Sequence, residues 1–432
     1  MTIEKLLNAR KTQIEYTNCQ LNALNQVNEF LNSEENFFLL AGYSGCGKTT
    51  IAENIATATY ASLFAPTNAA VNRLKDKINN PSLIYKTIHS ALAISHFFTS
   101  DEPKGLVKNG ICIIDECSMI DTYVLKIIIK EALSKECKII FMGDSFQLEP
   151  VGENPFIFKW EKSNPDIFLK ENRCQLKEVK RYDGSLLKIA TEIRVNKKAI
   201  FNNPAVSDLT VVKKFSKNLA KDINNKSNYV VITSTNRKRV EYNEKIRAYS
   251  FRDREINHYA QDGDKLVSVS NSKNYANGEI FILNKARLLH EFEIFVDQKD
   301  GSMQAYIALL YSHNDQFTIL IPQLIESSFH GSQIIDSFSS NPQSISYATQ
   351  KIIMSAVKSH GIKFYYFKRE INIATYGYAI SCHKAQGQEW DNVYIDAHWL
   401  MPVWDDAKWF YTAITRAKCK VEVTQNKYLK IN

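Results

Sequence analysis

The residues Gly42-Tyr43-Ser44-Gly45-Cys46-Gly47-Lys48-Thr49 have the spacing G-x-x-x-x-G-K-T. Glycines at these intervals let the backbone curl, so that successive N–H groups face phosphate oxygens, and a helix starting just after the turn favours negative charge. The pattern predicts that Gly42, Ser44, Gly45, Cys46, Gly47, Lys48, Thr49 and Thr50 surround a nucleoside triphosphate. Lys48 would reach the β- and γ-phosphates, and the Thr49 hydroxyl would bind Mg2+. Further along, Asp115-Glu116 ends the apolar run 111–114. A second carboxylate is what phosphoryl transfer requires there: Asp115 to hold Mg2+ through water, Glu116 to activate the attacking water. Gly143-Asp144-Ser145-Phe146-Gln147 ends the next apolar run, and Gln147 is placed to sense the γ-phosphate. Three successive strands thus deliver polar groups at their C-terminal ends, the edge at which open α/β sheets bind ligands.

The elements that must position these groups alternate. Residues 37–41, 62–65, 111–114 and 138–142 read as buried strands, with helices at 49–57 and 69–79, a pattern that predicts a parallel sheet. The style recurs near the C-terminus, with strands at 229–233, 393–396 and 421–424 and helices at 237–248 and 409–417. Between 278 and 369 short strands at 279–283, 293–297, 305–311 and 317–321 predict a small β-rich insertion. A chain of 432 residues exceeds one ordinary core and implies two to four domains.

Composition is that of a globular protein, 44% hydrophobic and 23% charged, which excludes disordered and collagen-like classes. The net charge of +8 is compatible with a polyanionic partner without demanding one. Residues 1–16 are polar and hold no apolar stretch of signal-peptide type, and no run approaches a membrane span. The eight cysteines are scattered without metal-ligand spacing and read as free thiols of a reducing cytoplasm. The richness in Lys, Asn and Ile suggests an AT-rich genome, such as that of a phage in a bacterial host.

With these motifs in this order, residues 16–420 resemble the superfamily 1 helicases of the RecD/Dda branch, which move 5′ to 3′. The fold implied is α/β: two RecA-like P-loop motor domains, a small pin insertion and an SH3-like β-rich insertion. The first motor domain would occupy 1–175 with the pin at 91–110, the second 176–277 and 370–432, and the SH3-like insertion 278–369. By the same resemblance, Gln20 reads adenine and Glu389 faces the ribose of ATP. Pro66, Thr67 and Asn68 match one DNA-gripping motif, and Thr87 and His89 another. Asp115 and Glu116 match motif II, and 143–150 motif III, whose Gln-Leu-Glu-Pro ending is typical of this branch. Arg181 and Arg416 are implied as two arginine fingers. Thr235, Asn236 and Asn243 match the start of the second motor domain, and Ser381, His383 and Lys384 its motif V, with Ser381 standing where Thr is common. Phe98 is implied as the tip of the pin, against the plainer reading of a packed loop aromatic.

The resemblance implies an ATP- and Mg2+-dependent motor on single-stranded DNA and its junctions with duplex, working as a monomer without a membrane. Single-stranded DNA-binding protein or replication, recombination and repair factors would be its associates. Its DNA contacts are hydroxyls, amides and histidines, which hold phosphates without reading bases. Three rivals stand beside it: a translocase that displaces bound proteins without separating strands, a P-loop kinase or regulatory ATPase indifferent to DNA, and a DNA-binding protein with an inactive ATP site, against which the intact Lys48, Thr49, Asp115, Glu116, Arg181 and Arg416 argue.

Overall fold

Two layers of apolar side chains decide the first half of the chain. In the computed structural model, which describes residues 2–9, 15–92, 106–148, 173–179, 185–195, 201–202, 208–212, 217–269, 275, 277–298, 301–312, 316–320, 371–397, 406–424 and 429–430, this half starts with α1 (Ile3–Leu7), α2 (Asn18–Leu31), β1 (Phe37–Gly42), α3 (Lys48–Thr59), β2 (Ser62–Ala65), α4 (Asn68–Ile78), β3 (Tyr85–Thr87) and α5 (Ile88–Leu92). It continues through β4 (Ile111–Ile114), α6 (Thr122–Ser134), β5 (Lys138–Gly143) and β6 (Arg173–Leu176). The six strands form one parallel sheet in the order β3-β2-β4-β5-β1-β6. Because side chains alternate across a strand, Phe38, Leu40, Ile113 and Ile140 enter one core with Leu24, Ile51 and Ile55. Phe37, Leu39, Ile114 and Phe141 enter the opposite core with Leu125 and Ile128 of α6. Burial on both faces explains why these strands read as unbroken apolar runs.

The second half contains α7 (Ser185–Val195), β7 (Phe201–Asn202), β8 (Leu209–Val212), α8 (Lys217–Asn224), β9 (Tyr229–Thr233), α9 (Asn236–Ser250), β10 (Lys265–Ser268), β11 (Ile280–Ile282), β12 (Arg287–Gln298), β13 (Gly301–Ser312) and β14 (Gln316–Leu320). It closes with β15 (Ile371–Tyr376), β16 (Ala379–Ser381), α10 (Cys382–Ala385), β17 (Trp390–Asp396), α11 (Asp406–Ile414), β18 (Ala417–Thr424) and β19 (Leu429–Lys430). A second parallel sheet runs β16-β9-β17-β18-β8. The helix expected at 409–417 starts earlier and stops at Ile414, since β18 begins at Ala417.

A third sheet has the order β11-β10-β15-β14-β13-β12 and is antiparallel except for β14 beside β15. It reaches beyond the expected insertion at 278–369, because β10 and β15 flank that stretch in the chain and pair with each other. Where short strands are expected at 293–297 and 305–311, β12 and β13 instead make a hairpin with 12 residues in each strand. Polar residues such as Glu291 and Gln304 sit inside it, so backbone pairing rather than apolar alternation sets its length. At Gly377 the chain passes from this sheet to β16, and a Cβ there would lie 2.8 Å from the Leu266 carbonyl carbon. Only glycine allows so close a crossing. Residues 93–105, which include Phe98 and most of the expected pin, and 321–370 of the expected insertion lie outside the described residues.

The edge strand β16 carries the turn into motif V and is pinned by one amide. Asn243 on α9 is fully buried, donates from Nδ2 to the Ala379 carbonyl at 2.9 Å and accepts at Oδ1 from the Ala379 N–H at 2.8 Å. Asn243→Ala would leave both backbone groups unpaired in the interior and should destabilise the fold by about 2–4 kcal/mol. A urea titration checks this; an unchanged midpoint would contradict it.

Candidate nucleotide site and DNA groove

The loop between β1 and α3 has the geometry its sequence demands. Gly45 and Gly47 adopt φ of 80° and 86°, and a Cβ on Gly47 would meet the Gln20 amide nitrogen at 2.3 Å. Gln20 is itself buried. Its Nε2 donates to the Cys46 carbonyl at 3.0 Å, and its Oε1 accepts from the Thr17 N–H at 3.0 Å in a capping box that starts α2. This residue therefore braces the loop, as well as lining the cavity beside it. The Cys46 side chain points into the core, where burial raises its thiol pKa, so only its backbone can serve a phosphate. Lys48 Nζ donates to the Gly42 and Tyr43 carbonyls at 2.8 and 2.9 Å.

The cavity over this loop measures about 690 Å³ and brings together Gln20, Ser44, Gly45, Gly47, Lys48, Thr49, Thr50, Asp115, Glu116, Gln147 and Arg416. Asp115 and Glu116 are 2% and 4% exposed, so their charges depend on partners brought by other elements. Arg73 of α4 supplies one, at 2.7 Å from Glu116 Oε1 and 3.3 Å from Asp115 Oδ2. Burial and the neighbouring Glu116 push the Asp115 carboxyl up, against Arg73 and Lys48. Burial also pushes Glu116 upward, but Arg73, Arg416 and Lys48 outweigh it and hold that carboxyl below the ordinary range. Glu116 is thus held in its ionised form, as a general base must be.

Glu116 Oε2 and Gln147 Oε1 are buried with no hydrogen-bond partner in the structure. Two orphaned acceptors in one cavity fit a site that takes a water and a cation–phosphate group. Arg416 is 2% exposed, and its guanidinium is aligned by the Thr412 carbonyl at 3.0 Å and Thr415 Oγ1 at 3.1 Å. Arg181 lies outside the described residues. Glu389 lines the adjoining, larger cavity, which shares Arg73 and Lys77 with this one.

Both halves of the chain meet at this site. Tyr411 of α11 donates to Asp144 Oδ2 at 2.6 Å and accepts from the Ser44 N–H of the phosphate loop at 3.1 Å. Arg194 of α7 pairs with the other Asp144 oxygen and stacks over the Tyr43 ring. Leu148, just after Gln147, is held twice: its N–H donates to Thr412 Oγ1 at 3.0 Å, and its carbonyl accepts from Gln386 Nε2 at 2.9 Å.

On another face Pro66, Thr67, Asn68, Thr87, His89, His383 and Lys384 line a single groove of about 330 Å³. Four of the hydroxyls that the sequence marks for DNA are helix caps. Thr67, Thr87, Thr235 and Ser381 accept from the N–H groups of Ala70, Ser90, Lys238 and Lys384. An oxygen that accepts from backbone still has its proton to donate, so capping and phosphate binding are compatible. Thr235 and Asn236 follow β9, whose Thr233 pairs with Ser381, but they do not line this groove. Sequence reasoning missed Arg73, Lys77, Arg194 and Gln386; places in or just after recognised motifs marked Arg73, Lys77 and Gln386, and nothing marked Arg194.

Among the described residues, no helix is long and apolar enough to cross a membrane, no His/Cys/Asp/Glu group has metal-binding geometry, and all eight cysteines are free thiols.

Residues 16–201 match the AAA domain family, and residues 376–424 match the UvrD-like helicase C-terminal domain. The chain is similar to the ATP-dependent DNA helicase dda of Enterobacteria phage T4, at 31% identity over 196 residues, covering 42% of this chain and 43% of the phage protein. It is 35% identical over 156 residues to the RecBCD enzyme subunit RecD of Buchnera aphidicola, covering 30% of this chain and 25% of that one. The chain thus spans less than half the length of either helicase. An uncharacterized protein of Acanthamoeba polyphaga mimivirus, R530, aligns over 88% of this chain and 93% of its own at 24% identity. Among solved structures, Pif1 helicase from Bacteroides in complex with ADP-AlF3 and single-stranded DNA overlays with a TM-score of 0.49 at 17% identity, covering 97% and 95% of the two chains.

Burial holds the His383 imidazole below its ordinary pKa of 6.5. Between the folded value and 6.5 the unfolded chain binds more protons, so acid in that window weakens the fold. Relative to His383→Gln, the wild-type chain should lose more thermal stability on going from about pH 7.5 to about pH 5.5. Scanning fluorimetry checks this, and parallel decline of the two proteins would contradict it.

Proposed function

Because the chain belongs to the superfamily 1 helicases, in the branch of Dda and RecD, we propose that it is an ATP-driven DNA helicase that moves 5′ to 3′ on single-stranded DNA. One observation carries this reading: Arg416 of the second motor half enters the cavity formed by the phosphate loop and the Asp115–Glu116 pair of the first. Hydrolysis in such a cavity depends on how the two halves sit. The groove of DNA-candidate residues also draws on both halves, with Thr67, Asn68 and Thr87 from one and His383 and Lys384 from the other. A cleft that closes on ATP and opens on product release would alternate the grip of the two halves and so step along the strand.

In hydrolysis, Glu116 accepts the proton of the water that attacks the γ-phosphorus, while the bond from that phosphorus to the β-bridging oxygen breaks and ADP leaves. Lys48 turns from the Gly42 and Tyr43 carbonyls to the phosphates, and Gln147 orients the attacking water. Arg416, with Arg181 as its proposed companion, neutralises charge spread over the transferring group. Thr49 and Asp115 would hold Mg2+, which when bound screens the phosphate oxygens. Gln20 and Glu389 are proposed for the adenine and ribose, Thr235, Asn236 and Ser381 for further backbone contacts, and Phe98 for the wedge that parts the duplex. A monomer in the cytoplasm, working beside single-stranded DNA-binding protein and replication, recombination or repair factors, completes the reading.

Duplexes with a 5′ or a 3′ single-stranded tail test it. Strand separation should require ATP and the 5′ tail. Unwinding from the 3′ tail alone would discard the branch polarity, and movement without separation would favour a translocase that strips proteins. Lys48→Ala should cut turnover at least about 100-fold with single-stranded DNA affinity retained. Arg416→Ala should lower the hydrolysis rate by roughly 10³-fold or more while ATP binding changes far less. Equal losses in rate and binding, measured by single-turnover kinetics and equilibrium titration, would contradict a finger role.

A further inference from the structure

Helix α4 starts in the DNA groove and runs along the nucleotide cavity. Thr67 caps it and Asn68 begins it at the groove. Arg73 lies about 9 Å further along the axis and enters the nucleotide cavity together with Lys77. Arg73 and Lys77 are four residues apart and share a face. Both meet Glu389 of the second motor half, at 3.7 and 3.4 Å. The same Arg73 guanidinium holds Glu116 at 2.7 Å and Asp115 at 3.3 Å. It therefore joins the hydrolytic carboxylates of one half to an acid of the other, with only 16% of its side chain exposed. Its Nε is buried without a hydrogen-bond partner, so the interior does not lock every donor of the guanidinium in place.

The second half also leans directly on α4. Gly387, between Lys384 and Glu389, lies so near that a Cβ on it would be 3.5 Å from the Ala70 Cβ. Anything that draws Lys384 and Asn68 to one phosphate backbone therefore acts on the contact between this turn and α4. A shift of α4 would change the distances from Arg73 to Glu389 and to Glu116 together, because an α-helix of 11 residues moves as a unit.

We propose that Arg73 is the positioning residue through which DNA in the groove controls ATP hydrolysis: α4 carries its guanidinium, and the guanidinium sets the Glu116 carboxylate. This inference rests on the helicase reading above. A charge-assisted hydrogen bond from a planar fork fixes a carboxylate's direction as well as its charge. A lysine offers one compact charge and cannot bridge Glu116 and Glu389 in the same way. Thermodynamic linkage makes the effect reciprocal for binding: if DNA alters the nucleotide site through Arg73, nucleotide alters DNA affinity through it too.

The test uses the full chain, an oligo-dT strand, ATP and a non-hydrolysable ATP analogue, with wild type, Arg73→Gln and Arg73→Lys. The ratio of hydrolysis rates with and without oligo-dT should fall at least roughly fivefold in Arg73→Gln. The effect of the analogue on oligo-dT affinity should disappear in that variant, while affinity without nucleotide stays within about twofold of wild type. Arg73→Lys, which keeps the buried charge and so guards against a folding failure, should bind oligo-dT normally but recover only part of the ratio. Equal loss of basal and stimulated rates with the analogue effect intact would overturn the proposal, leaving Arg73 as a local support for Glu116. Full stimulation in Arg73→Lys would overturn it as well. Wild-type turnover indifferent to oligo-dT would instead bring down the helicase reading, and the proposal with it.

Discussion

Two carboxylates buried at the end of one strand impose the main constraint on this molecule. Asp115 and Glu116 have lost almost all contact with solvent, and an isolated buried charge costs far more than a fold of this size can spare. Cations must therefore converge on them from elsewhere in the chain. Lys48 comes from the phosphate loop, Arg73 from α4 and Arg416 from the far motor half, and each acts on the Glu116 charge. The same need that stabilises the pair brings the parts of the nucleotide site together. It also makes the site sensitive to the separation of the halves, since one of its cations is on the other side of the cleft.

The contacts beside this cluster serve that sensitivity. Asp144 is fully buried between Tyr411 and Arg194, and Tyr411 in turn reaches a phosphate-loop N–H. Both backbone groups of Leu148 are taken by the second motor half. The segment that carries Gln147 is thus held between the phosphate loop and α11, which the turn bearing Arg416 follows. Such linked hydrogen bonds tie the position of Gln147 to the separation of the two halves. The groove-side hydroxyls follow a similar economy, with Thr67 and Thr87 each capping a helix and each keeping a proton to offer a phosphate.

The local patterns in the sequence carried the motor sheets and much of the site. Unbroken apolar runs ending in Gly42, Asp115 and Gly143 could be read because a strand buried on both faces has no other composition, and glycine spacing at 42–47 has few alternative uses. The span of the β-rich sheet was not legible, since β10 and β15 pair across about 100 intervening residues and nothing in either strand marks its partner. Arg73 was invisible for the same reason: its partners Asp115, Glu116 and Glu389 are distant in the chain, and an arginine on a helix reads as solvated until the fold buries it. Gln20 was legible as a site residue, but its hold on the Cys46 carbonyl and the Thr17 N–H was not.

If a DNA strand bridges the two halves as proposed, its presence sets their fit and with it the rate of hydrolysis. The most direct measurement is the steady-state rate of phosphate release from ATP by the full chain, with and without a saturating single-stranded oligonucleotide. The account predicts a rate that rises at least about tenfold with the strand present. A rate unaffected by DNA would contradict it and leave a nucleotide hydrolase whose groove serves some other purpose.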